Sequence, residues 1–306
     1  MGENGSGWLP EAMSTVAAEV DALFYFTLYT STIIFVAVIG AMIYFGIRFR
    51  RRDESEVPTP VHEPKWLEMT WIVVPTILVM IVFTWGFKVF VKLHTAPPDS
   101  YEITVRAAQW YWEFEYDNGV TSANELYVPV GKAIKLNMSA SDVLHSFFVP
   151  AFRIKMDVIP NRVTSVWFEA TDVGTYQVFC TEYCGTSHAA MLATVHVVTD
   201  SEFRQWLATQ NQDLPPAELG AQLFNQYTCN VCHVDTAVGP GLTGIFGSER
   251  KLSDGTTVIA DEDYLLESIV DPGAKLVEGY GLQMPATFGS LTQKQLDGLI
   301  AYIKTL

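Results

Sequence analysis

The sequence predicts a multidomain chain in three parts: a transmembrane α-helical hairpin, an all-β sandwich and an all-α C-terminal domain. Three observations carry this reading. Residues 22–47 and 69–87 contain no Asp, Glu, Lys or Arg. Between residues 101 and 198 the apolar residues recur with period two. Beyond residue 216 the period turns helical.

The uncharged runs come first. At ~1.5 Å per residue, each is long enough as a helix to cross the ~30 Å hydrocarbon core of a bilayer. A buried helix of a soluble core, or a signal peptide, would share this composition. The first run is too long for a signal h-region, however, and the second follows it closely. Helices are therefore expected at about residues 20–47 and 66–93, within an N-terminal tail and two-helix anchor of residues 1–95. Pro75 falls inside the second run and should kink that helix, because a membrane bundle can re-satisfy the freed carbonyls. The intervening loop reads "RFRRRDESEVPTPVHEPK", with Arg48, Arg50, Arg51, Arg52 and Lys65, whereas the tail before Asp21 has neither Lys nor Arg. The positive-inside rule puts this loop in the cytoplasm and both termini outside, with Lys88 and Lys92 a smaller opposing signal.

Residues 96–200 form the period-two part. The segments "YEITVRA", "WYWEFEY", "AIKLNMS", "TSVWFEA", "TYQVFC" and "LATVHVV" are β-branched and aromatic, and "DNG", "VGK" and "DVG" punctuate them. So many short strands in one region predict a sandwich or a small barrel. The stretch "DSEFRQWLATQNQDLPPAE" then breaks the pattern with a short helix and a Pro-Pro turn, which makes residues 201–215 a linker. In residues 216–306, "PAELGAQLFNQYTC" and "EDYLLESIV" read as amphipathic helices. The last helix opens with Thr292 and Gln295 at capping-box spacing and sets Leu296, Leu299, Ile300, Ile303 and Leu306 on one face.

The net charge of −15 excludes nucleic acid as a natural partner and favours a basic one. Much of it lies after residue 199, where six Lys or Arg face fourteen Asp or Glu.

Two motifs carry chemistry. "CNVCH", residues 229–233, is the attachment signature of c-type haem: Cys229 and Cys232 form thioethers to the porphyrin and His233 reaches the iron. A redox disulfide would want a βαβ unit, and a zinc knuckle would want two further soft ligands that this region lacks. His–Met ligation suits electron transfer, and Met284 is the one methionine after His233, so it is the candidate sixth ligand. Pro285 beside it suits a loop that presents a ligand, and the glycines of "GPGLTGIFG" would let backbone run close to the haem edge. This block resembles a class I cytochrome c domain over nearly all of residues 216–306.

The second motif is "CTEYCGTSHAAM", residues 180–191. A blue-copper site uses two His, one Cys and a weak Met on a β-sandwich. Here there is one thiolate more. Cys180 and Cys184 can bridge two coppers, with His188 and the upstream His145 of "DVLHSFFVP" as imidazoles. Met191 and the backbone carbonyl of Glu182 complete the set as weak ligands. His196, in an alternating strand, reads as structural. A disulfide between Cys180 and Cys184 is the plain alternative, but it does not call for His145, His188 and Met191. Zinc is disfavoured because a Met ligand is too soft for it.

With these residues, residues 15–200 resemble subunit II of the haem–copper oxidases. The pattern Cys-x-Glu-x-Cys-x-x-x-His-x-x-Met matches that family's binuclear CuA centre, and "AQWYWEFEY" and "RIKMDVIPNR" resemble its aromatic stretch and the loop beside the copper loop. The resemblance implies a cupredoxin-like fold for the sandwich. The fused haem domain makes the chain similar to caa-type cytochrome c oxidases. Three roles follow from the resemblance alone: Trp110 matches the tryptophan through which electrons reach the copper pair, the Glu182 side chain matches a ligand of a magnesium ion shared with subunit I, and Glu68 matches a glutamate at the cytoplasmic entrance of a proton path. Glu68 is equally explained as a dipole-favoured acid in a first helical turn after Pro64.

The expected protein is the electron-input subunit of a terminal oxidase in a bacterial inner (cell) membrane, with both cofactor domains on the outer side. Electrons would pass from a soluble, basic donor, such as a cytochrome c or a respiratory complex, through haem c to CuA and on to subunit I. There O2 becomes water with proton pumping. Expected contacts are subunit I, other membrane subunits and lipid. Two rivals are the CuA-bearing small subunit of a nitric oxide reductase and a free-standing, membrane-tethered electron carrier.

Overall fold

The computed structural model describes residues 8–53, 55, 64–210, 214–233, 238–281 and 284–306. Residues 56–63 of the arginine-rich loop, 211–213 of the expected linker, and 282–283 just before Met284 lie outside the described residues. The chain forms two units, Thr15–Thr95 and a second made of Met1–Ser14 with Ala96–Leu306.

The first unit is a pair of helices, α1 (Ala17–Arg48) and α2 (Lys65–His94), each of mean hydropathy 2.1 over its most apolar window. At ~1.5 Å per residue both exceed the ~30 Å of a hydrocarbon core. That apolar window is 0% buried in α1 and 6% buried in α2, so neither is the core helix of a soluble fold. Phe35, Ile77 and Phe83 stand exposed, as lipid-facing side chains would. The helix α2 continues through Pro75, and Thr76 Oγ1 donates to the Ile72 carbonyl at 2.6 Å one turn below. Phe26 packs on Trp85 (5.8 Å between ring centroids), and Lys92 pairs with Glu19 at 2.6 Å.

The second unit begins with a ten-stranded sandwich. Its strands are β1 (Tyr101–Ala108), β2 (Tyr111–Glu115), β3 (Thr121–Ala123), β4 (Glu125–Pro129), β5 (Ala133–Ala140), β6 (His145–Val149), β7 (Ile154–Val158), β8 (Thr164–Glu169), β9 (Gly174–Cys180) and β10 (Leu192–Val198). One sheet has the order β3-β2-β1-β5-β8 and the other β4-β10-β9-β6-β7. The pairs β1·β5 and β4·β10 are parallel, and the remaining ladders are antiparallel. In β5 the burial alternates along the whole strand, so Ile134, Leu136 and Met138 enter the core while Lys135 and Asn137 face out. Trp112, Phe114, Phe147 and Phe168 fill the space between the sheets.

Strands β3, β4, β6 and β7 carry no alternation strong enough to be expected from sequence. The strand β6 shows the reason: four of its five residues are buried, because it lies inside its sheet between β9 and β7. The helix α3 (Asp200–Gln210) follows directly. It packs back on the sandwich, with Phe203 buried and Trp206 stacked on Tyr127 at 4.4 Å.

The C-terminal part contains α4 (Pro216–Gln226), α5 (Cys229–His233), α6 (Glu262–Val270) and α7 (Gln293–Ile303). The capping box expected at Thr292 and Gln295 is formed. Helices α4 and α7 cross at Gly220 and Gly298, where a Cβ on Gly220 would lie 1.9 Å from the Gly298 carbonyl oxygen. Only glycine permits so close a crossing. The expectation of an all-α domain misses one element, a small hairpin of β11 (Glu249–Lys251) and β12 (Thr257–Ile259). It turns through Gly255 at φ +87°, in a stretch too short and polar to register as strand.

The sandwich and the C-terminal part share one apolar cluster. Tyr111 meets Tyr227 edge-on at 5.0 Å and stacks on Phe288 at 5.7 Å. Tyr227 donates to Glu113 Oε2 at 3.2 Å, and Asn124 Nδ2 donates to the Gln226 carbonyl at 2.5 Å.

Candidate copper and haem sites

The motif at 180–191 lies between two paired strands. Cys180 ends β9, Leu192 begins β10, and the ladder between them closes the loop. Strand β6 pairs with β9 through Phe147 and Cys180, which brings His145, at the head of β6, to the same loop. The sulfurs of Cys180 and Cys184 are 3.8 Å apart and both thiols are free. His145 Nδ1 lies 3.9 Å from the Cys180 sulfur, and the Glu182 carbonyl oxygen 3.3 Å from it. On the other side, His188 Nδ1 lies 3.4 Å and Met191 Sδ 3.7 Å from the Cys184 sulfur. Each thiol thus has one imidazole and one weaker donor. His145, Cys180 and Cys184 offer ligand atoms within 4.8 Å of one another. All six expected residues come together.

The surroundings orient these groups. His145 is wholly buried, and its Nε2 hydrogen-bonds Asp142 Oδ1 at 2.8 Å. The proton therefore sits on Nε2 and leaves Nδ1 free toward the sulfurs. Burial works against the Asp142 carboxylate, but the bonds from His145 and from the backbone N–H groups of Gln109 and Val143 outweigh it and hold the carboxyl below its usual range. Burial likewise disfavours the His145 cation, yet Asp142 and Cys180 together raise its pKa. The two thiols are unlike: the hydrogen bond from Cys184 chiefly lowers Cys180, and the same contact raises Cys184. After Cys184 comes Gly185 at φ +118°, where a Cβ would lie 2.8 Å from Gln109 Nε2 and 3.2 Å from the Trp110 ring. The backbone angle favours glycine there, and any side chain would also press on the Gln109 amide and the Trp110 ring.

The second site is a cavity lined by Cys229, Cys232, His233 and Met284, the residues expected to hold haem. Helix α5 presents the first three. His233 Nδ1 donates to the Pro240 carbonyl at 2.9 Å, which leaves Nε2 as the free donor atom. Burial keeps the imidazole neutral, with the Pro240 bond opposing it. Gly239 makes this possible, since a Cβ there would lie 3.0 Å from the Cys232 carbonyl. Burial pushes the Cys229 thiol up to about 12 and raises Cys232 as well.

Gln109 and Trp110, from the turn between β1 and β2, also wall this cavity, with Ser187 and Ala190 of the copper loop. The Glu182 side chain is 41% exposed, and its nearest cation is Lys155 at 3.9 Å. Glu68 stands exposed in the first turn of α2. His196 bonds Glu125 and stacks on Tyr127, a structural role as expected. Sequence reasoning missed Asp142 and Gln109. Asp142 stands three residues before His145, a spacing that could have flagged it; Gln109 had no signal.

The residues fit the implied groups. Sulfurs 3.8 Å apart are closer than twice a metal–thiolate bond of ~2.3 Å, so one metal can bond both and leave a face for another. Two thiols, two imidazoles and a thioether are a soft set suited to copper. The apolar cavity with two thiols, a free His233 Nε2 and Met284 suits haem.

Comparison with known proteins agrees. Residues 3–89 match the family described as cytochrome c oxidase subunit II, transmembrane domain, and residues 119–198 match its periplasmic domain. Residues 217–306 match the cytochrome c family. The cytochrome c oxidase subunit 2 of Alkalihalophilus pseudofirmus is 32% identical over 89% of this chain and 83% of its own length. That of Bacillus sp. (strain PS3) is 31% identical over 84% and 80%. The periplasmic domain of subunit II of cytochrome oxidase from Bradyrhizobium japonicum is a similar solved structure, 33% identical, covering 38% of this chain and 96% of its own, with a TM-score of 0.36. The chain belongs to the cytochrome c oxidase subunit II family, as an inner-membrane protein with two spans, a periplasmic copper domain and a C-terminal cytochrome c domain.

Proposed function

We propose that this chain takes electrons from a soluble donor at a haem held by residues 216–306. It delivers them to a copper pair held by residues 96–200 and onward to subunit I, where O2 is reduced to water with proton pumping. The observation that carries the reading is the shared wall: Gln109, Trp110, Ser187 and Ala190 of the sandwich line the cavity that contains Cys229, Cys232, His233 and Met284. When bound, the haem and the copper pair supply two one-electron centres in series.

The residues do the rest. Cys229 and Cys232 attach the haem covalently, His233 offers Nε2, and Met284 offers its thioether. Cys180 and Cys184 would hold the copper pair between them, His145 and His188 would each offer Nδ1, and Met191 and the Glu182 carbonyl would serve as weak donors. The exposed Glu182 carboxylate, 3.9 Å from Lys155, would be this chain's ligand to a magnesium ion shared with subunit I. Trp110, packed on Gly185, lies between the two sites. Glu68, in the first turn of α2, is the residue offered to the proton path. The apolar walls of the haem cavity exclude water and keep His233 neutral. The relatives are oxidase subunits, which sets this reading ahead of a nitric oxide reductase subunit or a free-standing carrier.

Paramagnetic resonance tests it. One electron shared equally by two copper nuclei of spin three-halves gives a seven-line hyperfine pattern. Cys184→Ser should abolish that pattern, and Met191→Leu should keep two coppers but make them unequal. A four-line spectrum from the fully loaded, unmodified protein would overturn the binuclear assignment.

A further inference from the structure

Two sandwich residues that wall the haem cavity reach the copper loop by different means. Trp110 reaches it by packing. Its ring lies against Gly185, and its buried Nε1 has no hydrogen-bond partner among the described residues. Gln109 is bonded. Its Nε2 donates to the Cys184 carbonyl at 2.7 Å, and its backbone N–H donates to Asp142 Oδ2 at 2.7 Å. The other oxygen of Asp142 accepts from His145. One residue therefore borders the haem cavity and is tied to a ligand of each half of the copper site.

We infer that Gln109 is the coupling and positioning residue between the two sites. Its side-chain amide carries electronic coupling from the haem cavity into Cys184. Tunnelling falls steeply across non-bonded gaps and is better sustained through a short hydrogen bond and the covalent bonds behind it. From the Cys184 carbonyl, the covalent skeleton of that one residue leads to its sulfur, whereas the Trp110 route crosses a packing contact at Gly185. The step moves one electron from reduced haem iron to the oxidised copper pair. No bond is made or broken and no proton moves. The same amide braces the loop, because its bond to the Cys184 carbonyl and the bond from its backbone to Asp142 hold the thiol and imidazole sides in one register.

The inference rests on the proposed haem-to-copper sequence, and the experiment separates the two. In the complete oxidase, the haem is reduced by a light flash, and haem oxidation and copper reduction are followed optically. The variants are Gln109→Leu, which keeps bulk but loses the donor, and Trp110→Phe. Copper resonance spectra and infrared spectra of protein carrying carbonyl-labelled cysteine are recorded on each. In Gln109→Leu, one labelled carbonyl band should shift to higher frequency as its hydrogen bond is lost. The two-copper signal should persist, and the internal rate should fall several-fold, more than in Trp110→Phe. An unshifted band, an unchanged rate, or a larger loss in Trp110→Phe would overturn the inference. Loss of the two-copper signal would overturn the coupling role and leave Gln109 a prop of the loop alone. If the unmodified complex passes no electron from haem to copper, the functional reading itself fails.

Discussion

Asp142→Ala is the sharpest test of how the copper ligands are held. Asp142 Oδ1 accepts from His145 Nε2 at 2.8 Å and from the Val143 backbone at 2.6 Å, while Oδ2 accepts from the Gln109 backbone at 2.7 Å. His145 is 0% exposed, so its Nε2–H has no direct access to bulk water to make up for the lost acceptor. A hydrogen bond to a charged group contributes about 1.5–3 kcal/mol net. Independently, removing the carboxylate behind a ligating histidine costs roughly 10–100-fold in metal affinity, or about 1.4–2.7 kcal/mol. The two routes agree, so copper affinity in Asp142→Ala should drop by roughly 10–100-fold. Asp142→Asn keeps an oxygen for His145 but loses the charge and one acceptor, and should fall between. Copper is titrated into the metal-depleted complex against a chelator of known affinity, with the hyperfine pattern recorded at saturation. Unchanged affinity in Asp142→Ala would show that His145 is oriented by packing alone, and the argument from the bond at Nε2 would be wrong.

Other outcomes follow from single features. Gly220→Ala forces a methyl to 1.9 Å from the Gly298 carbonyl, so α4 and α7 must part at a cost of about 1–3 kcal/mol or more; thermal unfolding and covalent haem content should both report it, and wild-type values would refute the crossing. Met284→Ala should leave haem attached while lowering its potential and opening the iron to carbon monoxide; survival of the weak sulfur-to-iron absorption band would reject Met284 as ligand. Residues 200–306 carry six Lys or Arg against fourteen Asp or Glu, so the on-rate of a basic donor should fall as salt shortens the Debye length from ~10 Å at 0.1 M to ~3 Å at 1 M. A rate flat with ionic strength would point to apolar docking.

Features that depend on local pattern could be read directly from the chain. The uncharged runs specified two spans because the bilayer sets a fixed length, and α1 and α2 overshoot the expected ends by only a few residues. "CNVCH" stands out because the proposed attachment needs both thiols and the imidazole at one cofactor, which demands adjacency in the chain. "CTEYCGTSHAAM" stands out for the same reason, since one loop supplies five of the six proposed donors. Features that depend on distant strands meeting emerge only in the fold. His145 was a candidate by elimination; the β6·β9 ladder puts it at Cys180. Strand β6 escaped the pattern because it is interior to its sheet, with four of its five residues buried and no alternation to read, whereas β7, at the sheet edge, alternates too weakly to register. Asp142 and Gln109 look like ordinary polar turn residues until the parallel β1·β5 ladder brings the ends of those strands side by side, and only then do their hydrogen bonds tie His145 to Cys184. The meeting of Tyr111 with Tyr227 and Phe288, which seats the haem cavity against the copper loop, is of the same kind. Aromatic residues are sticky everywhere, and nothing local in a sequence says which of them will share a core.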